Sequence, residues 1–231
     1  VLIQRLTPGE IAGGGLVIGA FFLVAGLTGL VERLSRLTPK SVIAGIQLGL
    51  GLSLAILGVR LMEKQLVIGL IVAGAMLLTL ENRRFPAALV GLILGLALGL
   101  VDNPGRLASI SLGLHLPHLA LPTWEEVLRG TELAVIPQIP LTLTNAIIVT
   151  AALSAELFPR ETGRATERNL ALSTGLGNLI FAPLGGYMMC HGAGGLAGHY
   201  RFGARTAAAP LLIGLTFVAL GLLLGDDATA V

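Results

Sequence analysis

Long apolar runs, each free of charge and separated by clusters of basic and acidic residues, set the pattern of this chain. The charge-free windows are Ile11–Val31, Ser41–Val59, Gln65–Leu80, Phe85–Val101, Leu133–Ala155, Asn169–Cys190 and Thr206–Gly225. A helix needs roughly 17–25 such residues to cross the hydrocarbon core of a bilayer. The pattern therefore predicts seven membrane-spanning helices, the shortest of them, Gln65–Leu80, completed by tilt or by snorkelling of Lys64 and Arg83. The expected fold is an all-α polytopic membrane protein.

The connectors divide the chain further. Glu32–Lys40, Arg60–Lys64 and Glu81–Arg84 are short, whereas Asp102–Glu132 and Glu156–Arg168 are longer. In the first long connector Trp124 reads as an interfacial anchor and Glu125–Arg129 as a surface turn of helix. This gives a block of four helices at 1–101, an extramembrane connector at 102–132 and a second membrane block at 133–231. One side of the membrane receives Arg33, Arg36, Lys40, Arg83, Arg84, Arg160, Arg164, Arg168, Arg201 and Arg205, ten basic residues. The other receives Arg5, Arg60, Lys64, Arg106 and Arg129, five. By the positive-inside rule the first side is cytoplasmic. That count holds only if His191–Arg205 itself crosses part of the membrane, as a short glycine-rich segment.

Composition sharpens the class. Of 231 residues 54% are hydrophobic and 12% charged, about half the charge usual in soluble domains. A formal net charge of +2 gives no reason to expect nucleic acid as a partner; the lipid bilayer is the expected one. The single cysteine, Cys190, precludes an intrachain disulfide and reads as a packed apolar side chain. The chain opens on Val1 rather than Met, with no signal-peptide pattern, which reads as a lost upstream segment or a fragment. Glycines at Gly91–Gly95–Gly99 and Gly45–Gly49 have the spacing that lets membrane helices approach closely.

Two stretches carry candidate chemistry. In "VIPQIPLTLTNAIIVTAALS", Val135–Ser154, Pro137 and Pro140 bracket Gln138. Proline removes an N–H and disfavours helix in the residue before it, so Ile136–Ile139 should be extended, with a helix starting near Pro140. Gln138, Thr142 and Asn145 then share one helix face. Uncharged polar groups inside a membrane need partners or water. Two readings stand here, helix-to-helix hydrogen bonding at a proline kink and the lining of a cavity.

The second stretch is "CHGAGGLAGHYRFGAR", Cys190–Arg205. Its glycines miss the dinucleotide spacing, and no Lys-Ser/Thr pair makes it a Walker loop. His191 and His199 stand eight apart, and His115-x-x-His118 sits in a loop, so neither suggests a metal, and no cofactor is expected. A helix starting near Gly192 inside the membrane is a different matter. Its first N–H groups lack intrahelical acceptors and carry partial positive charge, which is an anion site without a cationic side chain. The candidate substrate-binding residues are Gln138, Thr142, Asn145, His191, Gly192, Ala193, Gly194 and Gly195; glycine packing without a ligand and a satisfied core His191 are the competing readings.

These stretches resemble the molybdate transporter family, taken as a branch of the sulfate permease superfamily. The matching residues are "PQIPLTLTNAII" (Pro137–Ile148), "LSAELFP" (Leu153–Pro159), "CHGAGGLAGHYRFGAR" and "GIQLGLGL" (Gly45–Leu52). The resemblance implies a seven-plus-seven inverted-repeat transporter fold with discontinuous half-helices, of which this chain would supply the fourth to eleventh spans. It implies a partial chain, inactive alone. It also implies a tetrahedral oxyanion substrate, molybdate or in second place sulfate, in a multi-pass protein of the plasma or inner membrane, with a homodimer as the open oligomeric state. His191, whose ordinary pKa is near neutrality, is a candidate for H⁺ coupling; uniport is equally open. An intramembrane enzyme built on Cys190-His191 or Ser154-Glu156 is disfavoured, because adjacent helical residues do not face each other. A purely structural membrane subunit is the remaining alternative.

Overall fold

The computed structural model describes residues 6–37, 39–80, 82, 87–102, 113–161 and 163–225. Of the expected Glu81–Arg84 loop only Asn82 is included; Arg5 and Arg106 lie outside the described residues. All regular structure among the described residues is helical: α1 (Pro8–Leu27), α2 (Leu30–Leu37), α3 (Lys40–Met62), α4 (Leu66–Thr79), α5 (Ala87–Asp102), α6 (Trp124–Leu157), α7 (Glu167–Phe181), α8 (Ala193–Arg201) and α9 (Ala208–Leu224). They form two compact units, one from Val1–Leu50 with Pro117–Ala197, the other from Gly51–Leu116 with Gly198–Val231.

In the first unit, α1 and α6 begin with the same device. Thr7 accepts the Glu10 N–H at 3.2 Å while the Glu10 carboxylate accepts the Thr7 N–H at 2.8 Å. Thr123 and Glu126 repeat the reciprocal pair at 3.3 and 2.8 Å. Each box satisfies two donors that a helix start leaves open. The two starts adjoin, since Thr7 donates to Glu126 at 3.3 Å and buried Glu10 meets Arg129 at 3.3 Å. Thr7→Ala should therefore lower stability by about 1 kcal/mol, read as a small drop in melting temperature in detergent. A melting temperature at or above the parent's would mean that the cap contributes nothing.

Beyond the caps, α1 is apolar all round, and glycines set how closely its neighbours approach. A Cβ on Gly13 would lie 2.8 Å from Val127 Cα, and one on Gly175 would lie 2.6 Å from the Leu23 nitrogen. Backbones this close leave no room for side chains between α1 and either α6 or α7. Ile18, Phe22, Ala25, Val31, Val135, Ile147, Ala151, Leu170 and Ala171 form the core around these crossings. At the other end of the unit Ser35 donates to Glu167 at 2.8 Å, joining α2 to the start of α7.

The proline-bracketed stretch departs from expectation. Residues 136–141 are helical, not extended, and α6 runs unbroken over 34 residues from Trp124 to Leu157. Wide π-helical turns at Thr131–Val135 and Thr142–Val149 flank the two prolines. Proline removes an N–H and its ring strikes the carbonyl four residues back. Widening the ladder to i→i+5 accommodates both, so the helix is locally widened but not interrupted. Glu125–Arg129 is helical and largely exposed, as expected of a surface turn, and it continues into α6.

The number of full-length spans also differs. Among the described residues three helical runs are long and apolar enough to cross a bilayer, Pro8–Leu27, Gly51–Thr79 and Trp124–Leu157, against the seven windows read from the sequence. Leu89–Asp102 and Ala208–Leu224 are shorter apolar helices. Arg60–Lys64 is not an open loop but the end of α3 followed by a 3-10 turn at Glu63–Gln65. Within the second unit α4 packs along α5, and a Cβ on Gly91 would touch Met76. Cβ atoms at Gly45, Gly49 and Gly99 would meet nothing within 4 Å.

Candidate functional site

The window Asn169–Cys190 divides into a helix and a non-helical run. Helix α7 stops at Phe181, after 15 residues, about 22 Å at 1.5 Å per residue and short of a bilayer core. The chain turns there with Gly186 N–H on Phe181 O at 2.9 Å and Gly185 at φ +85°, a conformation that costs other residues dearly. Residues 187–192 then run without regular structure to α8. A helix does begin at Ala193.

Its first turn leaves fewer open donors than expected. Gly192 O accepts from Gly195 N–H at 3.1 Å and from Leu196 N–H at 3.3 Å. Gly195 N–H is thus engaged within the turn, a 3-10-like tightening common at helix ends. The N–H groups of Ala193 and Gly194 precede that bond, and no backbone acceptor among the described residues takes either. Cβ atoms at Gly192 and Gly195 would meet nothing within 4 Å, so packing among the described residues requires neither glycine.

Thr150 on α6 and Ser173 on α7 hydrogen-bond to the segment before this terminus, while Gln138, Thr142 and Asn145 lie earlier on α6. Gln138 Nε2 donates to Thr142 Oγ1 at 3.0 Å, one turn along α6, and Thr142 is buried. Asn145 lies further along the widened turn, its Oδ1 buried without a partner. Thr150 Oγ1 donates to Asn145 O at 3.1 Å and His191 O at 3.2 Å, tying α6 to the segment before α8. From α7, Ser173 Oγ lies 2.7 Å from His191 Nε2. His191 is therefore not a core histidine: it is exposed and held by one hydroxyl. Cys190 is likewise exposed, not packed, because the run has no helix face to turn inward.

The structure adds a row of polar residues on α7 that the sequence reading passed over. Ser173, Thr174 and Asn178 lie on the apolar helix, Thr174 and Asn178 fully buried, and Thr174 Oγ1 has no partner. Their signal, uncharged polar groups in an apolar span, was the same one that singled out Gln138, Thr142 and Asn145. Chemically, these segments offer N–H and hydroxyl donors and, in Asn145 Oδ1 and Thr174 Oγ1, two buried polar atoms without partners among the described residues. The second unit contains a cleft of about 380 Å³ between α3 and α4, but Gln65 is its one polar lining side chain. That composition does not suit an anion.

A family model described as "Molybdate transporter of MFS superfamily" matches residues 1–54 and 130–230, which include every candidate site residue. Molybdate transporter 2 of Arabidopsis thaliana is 30% identical over 272 residues, covering 96% of this chain and 58% of the relative. Molybdate transporter 1 of Chlamydomonas reinhardtii is 41% identical over 148 residues, covering 62% of this chain and 28% of the relative. Molybdate transporter 1 of Arabidopsis thaliana is 27% identical over 94% of this chain and 57% of its own length. The chain spans at most 58% of the length of these relatives. No solved structure matches it. The superfamily in the description is MFS, where the resemblance had suggested the sulfate permeases. With the family model covering more than half of its residues, this membrane protein belongs to the molybdate transporter family.

Proposed function

We propose that the chain supplies the oxyanion-binding part of a secondary transporter of molybdate, with the anion at the N-terminus of α8. The observation that carries the reading is the pair of N–H groups, Ala193 and Gly194, left without backbone acceptors at a helix start. Such a terminus carries roughly half a positive charge and aimed donors. On this reading Gln138, Thr142 and Asn145 of α6 close the pocket, and Asn145 Oδ1 and Thr174 Oγ1, buried without a hydrogen-bond partner among the described residues, add polar positions. A site without fixed cations binds a dianion and also releases it, as transport requires. Sulfate has the same shape and charge, so labelled molybdate binding to the complete protein, with sulfate as competitor, is the direct test. Equal competition by sulfate would make the site a general oxyanion site, and no saturable binding of either would remove the reading.

The seven-plus-seven inverted repeat, a homodimer and residence in the plasma or inner membrane belong to the same proposal. The orientation is testable separately. The Ser35–Glu167 hydrogen bond joins α2 to the start of α7, both expected on the cytoplasmic side, and Thr7–Glu126 joins two helix starts expected opposite. A Ser35→Cys protein should resist impermeant thiol reagents in intact cells and react after permeabilisation. Labelling from outside would invert the topology.

A further inference from the structure

We infer that Asn178 is a positioning residue, which clamps the non-helical run before α8 and so sets where the N–H groups of that helix point. The inference rests on the reading of the α8 terminus as the anion site. Asn178 is 0% exposed in the last turn of α7. Its Nδ2 donates to Met189 O at 2.7 Å while its Oδ1 accepts the Met189 N–H at 3.0 Å. A side-chain amide has the same donor and acceptor edge as a peptide group, so Asn178 pairs with Met189 as a neighbouring strand would. The second Nδ2 hydrogen goes to Thr174 O at 2.8 Å, one helical turn back, which fixes the amide's orientation. The Met189 sulfur also lies 3.0 Å from where a Cβ on Gly177 would stand, so the Met189 side chain packs closely on α7 there.

Met189 is four residues from Ala193, and the run between them has no ladder of its own. Besides Asn178, it is tied through His191, by Thr150 and Ser173. An unclamped stretch of four residues spans up to about 13 Å, ample to displace two N–H donors. Binding by aimed dipoles depends on placement within a fraction of that distance. No ionisable group is among the hydrogen-bond partners of Asn178.

The test uses Asn178→Leu and Asn178→Asp in the complete protein. Hydrogen exchange is read on peptides covering 186–192 and 167–181, and molybdate affinity is read by titration. In Asn178→Leu, Met189 should exchange about tenfold faster or more, α7 should stay protected, and molybdate affinity should fall about tenfold. Asn178→Asp is nearly isosteric. Protonated, it restores both bonds to Met189; ionised, it loses the donor. Its Met189 exchange rate, as a ratio to the parent's, should therefore fall toward one as pH is lowered. Cys190 and His191 titrate on the same run but are present in both proteins, so they cancel in the ratio. A merely space-filling Asn178 predicts no such pH dependence.

Parent-like exchange at Met189 in a folded variant overturns the clamp. Faster exchange with unchanged molybdate affinity upholds the clamp and overturns α8 as the anion site. Weakened affinity with parent-like exchange overturns the positioning role. Should Asn178→Leu fail to fold, the pH ratio of Asn178→Asp decides alone.

Discussion

Gly175→Val is expected to abolish the folded first unit. The new Cβ would stand 2.6 Å from the Leu23 nitrogen and 2.9 Å from Gly19 O, both backbone atoms of α1 that no rotamer change can move. Relief requires α1 and α7 to separate, which opens the contacts of Ile18, Phe22, Leu170 and Ala171 together. Overpacking a core usually costs about 1–3 kcal/mol; a clash with three backbone atoms of α1 belongs above that range. Gly214→Val in α9 is the matched control, since its Cβ meets nothing within 4 Å. Valine is also a better helix residue than glycine, by a few tenths of a kcal/mol. Detergent melting curves and monodispersity of the two proteins give the comparison. If Gly175→Val melts within a degree or two of the parent, the close α1–α7 crossing is not the arrangement in the membrane.

Molybdate affinity should fall ten- to hundredfold in Gln138→Ala and at least tenfold in Gly195→Val, with folding retained in both. Gln138 is half-buried, and its amide reaches Thr142 Oγ1 at 3.0 Å. Removing it takes away an amide donor and frees the Thr142 hydroxyl to turn elsewhere. A hydrogen bond to a charged partner contributes about 1.5–3 kcal/mol, hence the expected range. At Gly195 the reasoning is steric. Its N–H already closes the first turn onto Gly192, so on the proposed reading this residue would offer an anion bare space rather than a donor. A branched side chain fits the protein and intrudes on whatever approaches the helix start. Should both well-folded variants bind as tightly as the parent, the anion lies elsewhere, and the polar row of α7 becomes the next place to look.

Rules acting over one to four residues made much of this molecule readable. Length and charge-free composition mark Ile11–Val31 as a membrane helix, and α1 covers Pro8–Leu27. The change from apolar to glycine-rich sequence at Cys190–Gly195 locates a helix start at Ala193. Those rules failed where distant groups intervene. Pro137 and Pro140 argue for an extended segment, yet π-helical turns on either side keep α6 continuous within a packed unit. Spacing alone suggested close contact at Gly45, Gly49 and Gly99, where the described residues offer no neighbour, and not at Gly13, Gly19 and Gly175. A small residue permits approach; only the partner's position decides whether approach occurs. The same holds at the site. His191 has the same side chain in any fold, but Ser173, Thr150 and Asn178 reach its segment only because Gly185 reverses the chain after Phe181. Local sequence dictates which backbone groups are left unpaired. Tertiary packing decides which of them are supplied with a partner and which remain open.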